Sequence, residues 1–393
     1  MNVDVEYSDL EGVEGAEAIL AAITPRSRAI KAAYNQLGDD GVEALVASLP
    51  VHIEQLDLTD NDVGDRGLLA ALGYAARSGL RHLSLAFNAV HLDEATTPVA
   101  IAALNASHLE SLTLFSNHLE PGSVTELFEH LAAPRLATLH LSRCNVDDAA
   151  ATAVASYLAS PRAAALTTLD LGNNWLSALA AKELIDAVER AHFGLQHLSL
   201  ASHGLRGTRG CILFKADYDP KLEAEPRPQM MVEMAQQLHT RLPAALGRNR
   251  ELRRRTMAAA ARAVGPARIL LHAAEPAAPT TATTAATPAT TTTTTTTTPP
   301  TFPFTRLPAE IQQAIARHAW GDAHALTEAQ WGKVVRYASD RTTLGGMLAC
   351  PPSALGFDAR VGLALTAWCE RLGCAQWEKE TRGWEPPSPR IGA

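Results

Sequence analysis

A leucine-bearing segment returns about every 28 residues along the first half of this chain, and that spacing limits its fold more than any other feature. "IEQLDLTDNDV", "LRHLSLAFNAV", "LESLTLFSNHL", "LATLHLSRCNV", "LTTLDLGNNWL" and "LQHLSLASHGL" align on one slot. That slot holds Asn61, Asn88, Asn117, Cys144, Asn174 and His203. A degraded earlier copy, "IKAAYNQL", puts Asn35 there, and successive slots lie 26, 27, 29, 27, 30 and 29 residues apart. Seven copies at so steady a period imply units that cannot bury their apolar faces alone and must stack.

Within each copy, "LxL" alternates with period two, so the leucines face one side of a strand and the intervening residues the other. The slot residue falls where the chain leaves the strand. A buried amide or thiol there can bond the turn backbone, which has no ladder of its own. His203 departs from this pattern and marks an atypical last copy. The rest of each copy, such as "DRGLLAALGYAA" or "AAKELIDAVERA", repeats its apolar residues at three and four, the spacing of a helix with one buried stripe.

These segments resemble the leucine-rich repeats of the ribonuclease-inhibitor type, "LxxLxLxxNxL" with a helix per unit, over about residues 28–206. The layout is also similar to uncharacterised fungal proteins with such repeats. The resemblance implies an α/β solenoid, a horseshoe with parallel strands inside and helices outside. It also implies a protein-binding surface rather than an enzyme.

In that register three columns line the concave face. The central one is Asp57, Ser84, Thr113, His140, Asp170 and Ser199. Beside it run Gln55, His82, Ser111, Thr138, Thr168 and His197, then Thr59, Ala86, Phe115, Ser142, Gly172 and Ala201. The candidate partner-binding residues are Asp57, His82, Ser84, Phe87, Thr113, Phe115, His140, Thr168, Asp170, His197 and Ser199, and Trp175 is a further aromatic anchor near a strand exit. His140, Asp170 and Ser199 invite a hydrolase reading, but a triad needs histidine in the middle, and here aspartate is in the middle. Strands about 4.8 Å apart would also put Ser199 roughly 10 Å from His140. Asp57 and Asp170, four strands apart, lie roughly 19 Å from each other, too far for a glycosidase pair at about 5–9.5 Å. No catalytic residue is assigned. Small residues fill most other positions, so this face reads as weakly charged.

A second resemblance within the same fold is to the Ran-activating protein, a GTPase activator that uses an arginine and acidic loops at the repeat edge. Arg66 and Arg143 lie near such edges, but the C-terminal end here is not acidic.

The boundaries read from the sequence are an N-terminal cap at 1–27, repeats at 28–206, a helical C-terminal cap at 207–275, a linker at 276–303 and a small all-helical module at 304–393. In the cap, Arg248, Arg250, Arg253, Arg254, Arg255 and Arg262 make the most basic patch of the chain. Three adjacent arginines point in three directions on a helix, so a solvated outer face is the expected reading, with a nuclear-targeting or nucleic-acid patch as the alternative. The linker, almost all Ala, Thr and Pro, can bury no core and is expected to be disordered. In the module, Thr327 and Asp358 suit helix N-caps.

"LPAEIQQAIARHA" is similar to the opening helix of an F-box, "LPxEixxxIl", at 304–345. That resemblance implies docking of the Skp1 adaptor of a cullin ubiquitin ligase through Leu307, Pro308, Ile311 and Ile315, with the repeats selecting the substrate. The sequence departs from the pattern in two ways. "WGKVVRYASD" stands where the box usually has "vC..W", and the box follows the repeats instead of preceding them.

The net charge of -8 gives no reason to expect nucleic acid or an anionic membrane as partner. The acidic N-terminus reads as no secretory signal, and no run approaches the roughly 20 apolar residues of a membrane span. Five cysteines, an odd number and mostly far apart, are expected as free thiols in cytosol or nucleus. Cys350, Cys369 and Cys374 lack a second close ligand pair for zinc. No cofactor, metal or small-molecule substrate is expected.

Overall fold

Eight three-residue strands pair in chain order into one all-parallel sheet: β1 (Asn2–Asp4), β2 (Ala29–Lys31), β3 (Gln55–Asp57), β4 (His82–Ser84), β5 (Ser111–Thr113), β6 (Thr138–His140), β7 (Thr168–Asp170) and β8 (His197–Ser199). They belong to a computed structural model that describes residues 2–200, 228–272, 325–340 and 359–376. Seven helices alternate with the strands: α1 (Gly12–Ala22), α2 (Gly38–Ser48), α3 (Asp65–Arg77), α4 (Thr97–Ala106), α5 (Pro121–His130), α6 (Asp148–Ala159) and α7 (Ala178–Arg190). Each helix packs on the next, as each strand pairs with the next.

The register is the one the leucines demand. Leu56, Leu83, Leu112, Leu139, Leu169 and Leu198 sit side by side and all are buried. With period two, the residues on either side of each leucine must face away from the helices. One apolar core runs through all the units, from Val3 to Leu246.

The slot residues form a ladder inside the turns. Asn88 accepts from the N–H groups of Asn61 and Val63 and donates to the carbonyls of Leu58 and Ala86. Asn35, Asn117 and Asn174 repeat this bridging of a unit to the one before it. Cys144 keeps the donor role with its thiol, which points at the carbonyls of Leu114 and Ser142. His203 lies outside the described residues.

The sheet begins one unit before the leucine comb does. β1 pairs with β2, and Asn35 accepts from the N–H groups of Ser8 and Leu10 as later asparagines do. Ser8 therefore occupies the slot of a first unit that contains no leucine pair. Helices α1 and α2 approach closely at Gly41, where a Cβ would come within 2.5 Å of the Gly12 carbonyl oxygen. Only glycine fits there.

A long helix, α8 (Pro228–His272), follows, and the chain divides into two compact units at Arg250 and Glu251, inside it. In the first unit Leu242, Ala245 and Leu246 join the repeat core. Asn249, fully buried, donates to the carbonyls of His192 and Leu195. Arg241 pairs with Asp186 and Glu189. Arg248 corrects the expectation of a solvated arginine face. Its guanidinium donates to the carbonyls of Val188 and Glu189 and lies 4.5 Å from the Phe193 ring centre. Those carbonyls end α7 and have no partner within the helix, so a cation is favoured there. Arg250, Arg254 and Arg262 are exposed, as expected.

In the second unit, residues of α8 from Ala259 to Val264 build a small core with α9 (Glu328–Ser339) and α10 (Ala359–Leu372). Thr327 caps α9 as expected. Its hydroxyl accepts from Gln330 N–H while the Gln330 side chain takes the Thr327 N–H, a capping box. Cys369 and Cys374 are buried within this core. Asp358 and the linker lie outside the described residues.

Candidate protein-interaction face

The face of the sheet turned away from the helices is polar and carries three side-chain groups. The first spans β3 and β4. Thr59 Oγ1 donates to Asp57 Oδ1 at 2.6 Å and lies 2.8 Å from Ser84 Oγ. Asp57 also accepts from the N–H of Thr59.

The second group lies at the strand exits. The Phe87 and Phe115 rings meet edge to face at 4.8 Å and 90°, a favoured aromatic geometry. The Arg143 guanidinium lies 6.0 Å from the Phe115 ring centre. Phe87 is 43 % exposed although it sits beside the core.

The third group pairs His140 with Asp170, register partners on β6 and β7, with Nδ1 and Oδ2 4.0 Å apart. Asp170 is in turn the register partner of Ser199. Asp170 thus stands between the histidine and the serine, and the imidazole is not placed to take a proton from Ser199. Asp170 Oδ1 accepts from the N–H of Gly172, so one of its oxygens is committed to the turn. Thr113, Thr168 and His82 lie half-buried between these groups, and His197 is exposed at the far edge. Asp57 and Asp170 remain four strands apart.

Among the described residues, the one before each slot is left-handed: Tyr7, Tyr34, Asp60, Phe87, Ser116, Arg143 and Asn173, with φ between 53° and 60°. The turn forces this conformation, and Tyr7, Tyr34, Asp60, Phe87 and Arg143 are exposed at this exit edge. Tyr7 and Tyr34 stack there at 4.3 Å with 5° between their planes. The sequence reading missed both because it began its strict comb at Asn61. Carrying the period back from Phe87 and Asn88 to Asn35 and Ser8 would have found them. Trp175, one place after its slot, is 51 % exposed.

Arg66 sits among the acidic side chains of α2, Asp39, Asp40 and Glu43, and pairs with all three. Asp39 also accepts from the N–H groups of Gly64 and Gly67, so this cluster fastens one helix start to the next. Leu307, Pro308, Ile311 and Ile315 lie outside the described residues. Among the described residues no helix is long and apolar enough to cross a membrane, and no cluster of three or more His, Cys, Asp or Glu side chains could hold a metal ion.

The family described as "Leucine Rich repeat" matches residues 33–46 and 51–70. Those residues contain the turns of Asn35 and Asn61, two rungs of the ladder. The first unit folds as a leucine-rich-repeat solenoid. Among solved structures this solenoid is similar to the complex of Rad7 and Elc1 in yeast, at 12 % identity and a TM-score of 0.22, over 50 % of this chain and 68 % of that one. Overlap that slight transfers nothing about partners. No curated protein sequence matches.

Proposed function

We propose that the solenoid is a non-enzymatic scaffold that binds a protein partner on the open face of its sheet. The observation that carries this reading is the exposed aromatic and cationic group of Phe87, Phe115 and Arg143 beside the His140–Asp170 pair. Aromatic side chains and arginine are the residues that dominate protein interfaces. The turn places Phe87 and Arg143 at the edge but does not call for an aromatic ring or a guanidinium there, since Asp60 and Asn173 hold the same position in other units. The test is quantitative affinity enrichment with the intact chain and with His140→Ala/Asp170→Ala. Loss of the enriched partner supports the face, and unchanged enrichment removes it.

A finer reading makes the chain a substrate receptor of a cullin ubiquitin ligase, working in cytosol or nucleus. It rests on "LPAEIQQAIARHA" alone. Co-precipitation of Skp1 with the intact chain, lost in Leu307→Asp/Ile311→Asp, is the expected result, and no co-precipitation eliminates the reading. The GTPase-activator alternative is weakened by the three carboxylates around Arg66, which a nucleotide phosphate would have to displace.

A further inference from the structure

We propose that the N-terminal end of the open face docks a lysine- or arginine-rich segment of a protein partner. This rests on the reading of the open face as a protein-binding surface and adds the chemistry of what binds at one end of it.

The argument starts from Tyr7 and Tyr34. Both are held left-handed, at φ 53° and 59°, a conformation that suits Asn, Asp or Gly and costs a larger side chain about 1 kcal/mol. Asp60 and Asn173 meet the same need in other units. The turn therefore does not explain the rings. The core does not explain them either, because Tyr7 is 68 % and Tyr34 40 % exposed. What the stacked pair offers is a flat aromatic surface open to solvent.

Its surroundings are negative. Asp60 holds the same turn position in the next unit. Asp4, Asp9, Asp60 and Asp62 are exposed on the strand and turns of these first units, and Glu6 is half-exposed. Glu6 and Asp60 are close enough to act electrostatically on Tyr7. Lys31, at the end of β2, lies 3.7 Å from Asp4. Among the described residues Glu6, Asp9, Asp60 and Asp62 form no ion pair with side chains of the same fold. Flat aromatic faces ringed by unpaired carboxylates select cations, and guanidinium above all. It stacks on an aromatic ring and pairs with a carboxylate at once. The same field repels acidic peptides, nucleic acid and anionic lipid.

The test uses the intact chain and a fluorescent twelve-residue peptide of alternating Arg and Ser, read by anisotropy, with a Glu–Ser peptide as counterpart. Asp60→Asn/Asp62→Asn keeps left-handed turns that Asn accepts. Tyr7→Asn/Tyr34→Asn likewise suits the backbone. Glu126→Gln/Glu129→Gln on α5 removes equal charge from the helix layer. The expected result is binding of the Arg peptide alone, weakened about tenfold by the aspartate pair and about threefold by the tyrosine pair. The α5 pair should change it less than about twofold. No binding of the Arg peptide, or equal weakening by the α5 pair, overturns the proposal. Cross-linking of a partner from His140 separates the two failures. If it persists while the Arg peptide ignores the patch, only this inference falls.

Discussion

Asn174 and Cys144 hold two repeats together through a single amide. The Asn174 oxygen accepts from the N–H of Cys144 at 2.8 Å and of Val146 at 3.1 Å, while its nitrogen donates to the carbonyls of Leu141 and Leu171. All four partners are buried backbone groups with no strand ladder to fall back on. Asn174→Ala leaves them unpaired and should destabilise the first unit by about 2–4 kcal/mol. Asn174→Cys, which restores one donor, should fall between the two. Urea unfolding followed by circular dichroism measures both.

Cys144 shows what the slot does to a thiol. Burial pushes it up to about 11, against the backbone N–H groups of Asn117 and Ser116, which favour the thiolate. Cys369, buried in the second unit, is pushed up to about 12, chiefly by burial. The thiolate is the reactive form. In the native protein near neutral pH both should resist maleimide and react at once in denaturant. Site-resolved mass spectrometry reads the contrast, and fast native labelling of Cys144 would contradict its place in the ladder.

The pH dependence of the first unit should carry the mark of His192. Its Nε2 lies 2.9 Å from the Ala163 carbonyl, and its Nδ1 accepts from the N–H of Leu195 at 3.0 Å. The imidazole is therefore bound neutral, and burial lowers its pKa from 6.5. A lowered value means the unfolded chain binds the proton more readily. The stabilisation is thus complete above about 6.5 and shrinks as pH falls toward the folded value. Thermal unfolding from pH 8 to 5 should show a fall below 6.5 that is smaller in His192→Gln.

The closing helix contributes an asparagine of its own. Asn249 donates to the carbonyls of His192 and Leu195, and its oxygen lies within reach of Arg248. Asn249→Ala strands two buried carbonyls and should cost about 2–3 kcal/mol. Arg241→Ala breaks ion pairs that stay in partial contact with water, and it should cost less, about 1–2 kcal/mol. Calorimetry of the two variants side by side tests whether the amide or the charges hold the cap.

The solenoid was legible because leucine spacing is a direct image of packing. Every "LxL" became a strand with its leucines inward, and each slot asparagine became a rung. Less legible was whatever does not repeat. β1 escaped because "NVDVEYSDL" has valines and a serine where later units have leucines and an amide. The role of Arg248 escaped because only the fold brings it to the end of α7. The two columns carried by the strands, those of Gln55 and Asp57, were placed correctly in register, since one leucine per strand fixes them. The exit-edge aromatics were only partly seen, because Phe87 carries the comb beside it while Tyr7 and Tyr34 do not. What those columns bind is written in side chains free of packing constraint, so periodicity says nothing about it.

The most direct test of the central claim is site-specific photo-cross-linking in cells that express the intact chain, with benzoylphenylalanine placed singly at Ser84 and His140 on the open face and at Glu126 and Glu183 on α5 and α7. The account predicts a discrete partner adduct from the two open-face positions and none from the helices. Adducts from the helix positions alone would contradict it.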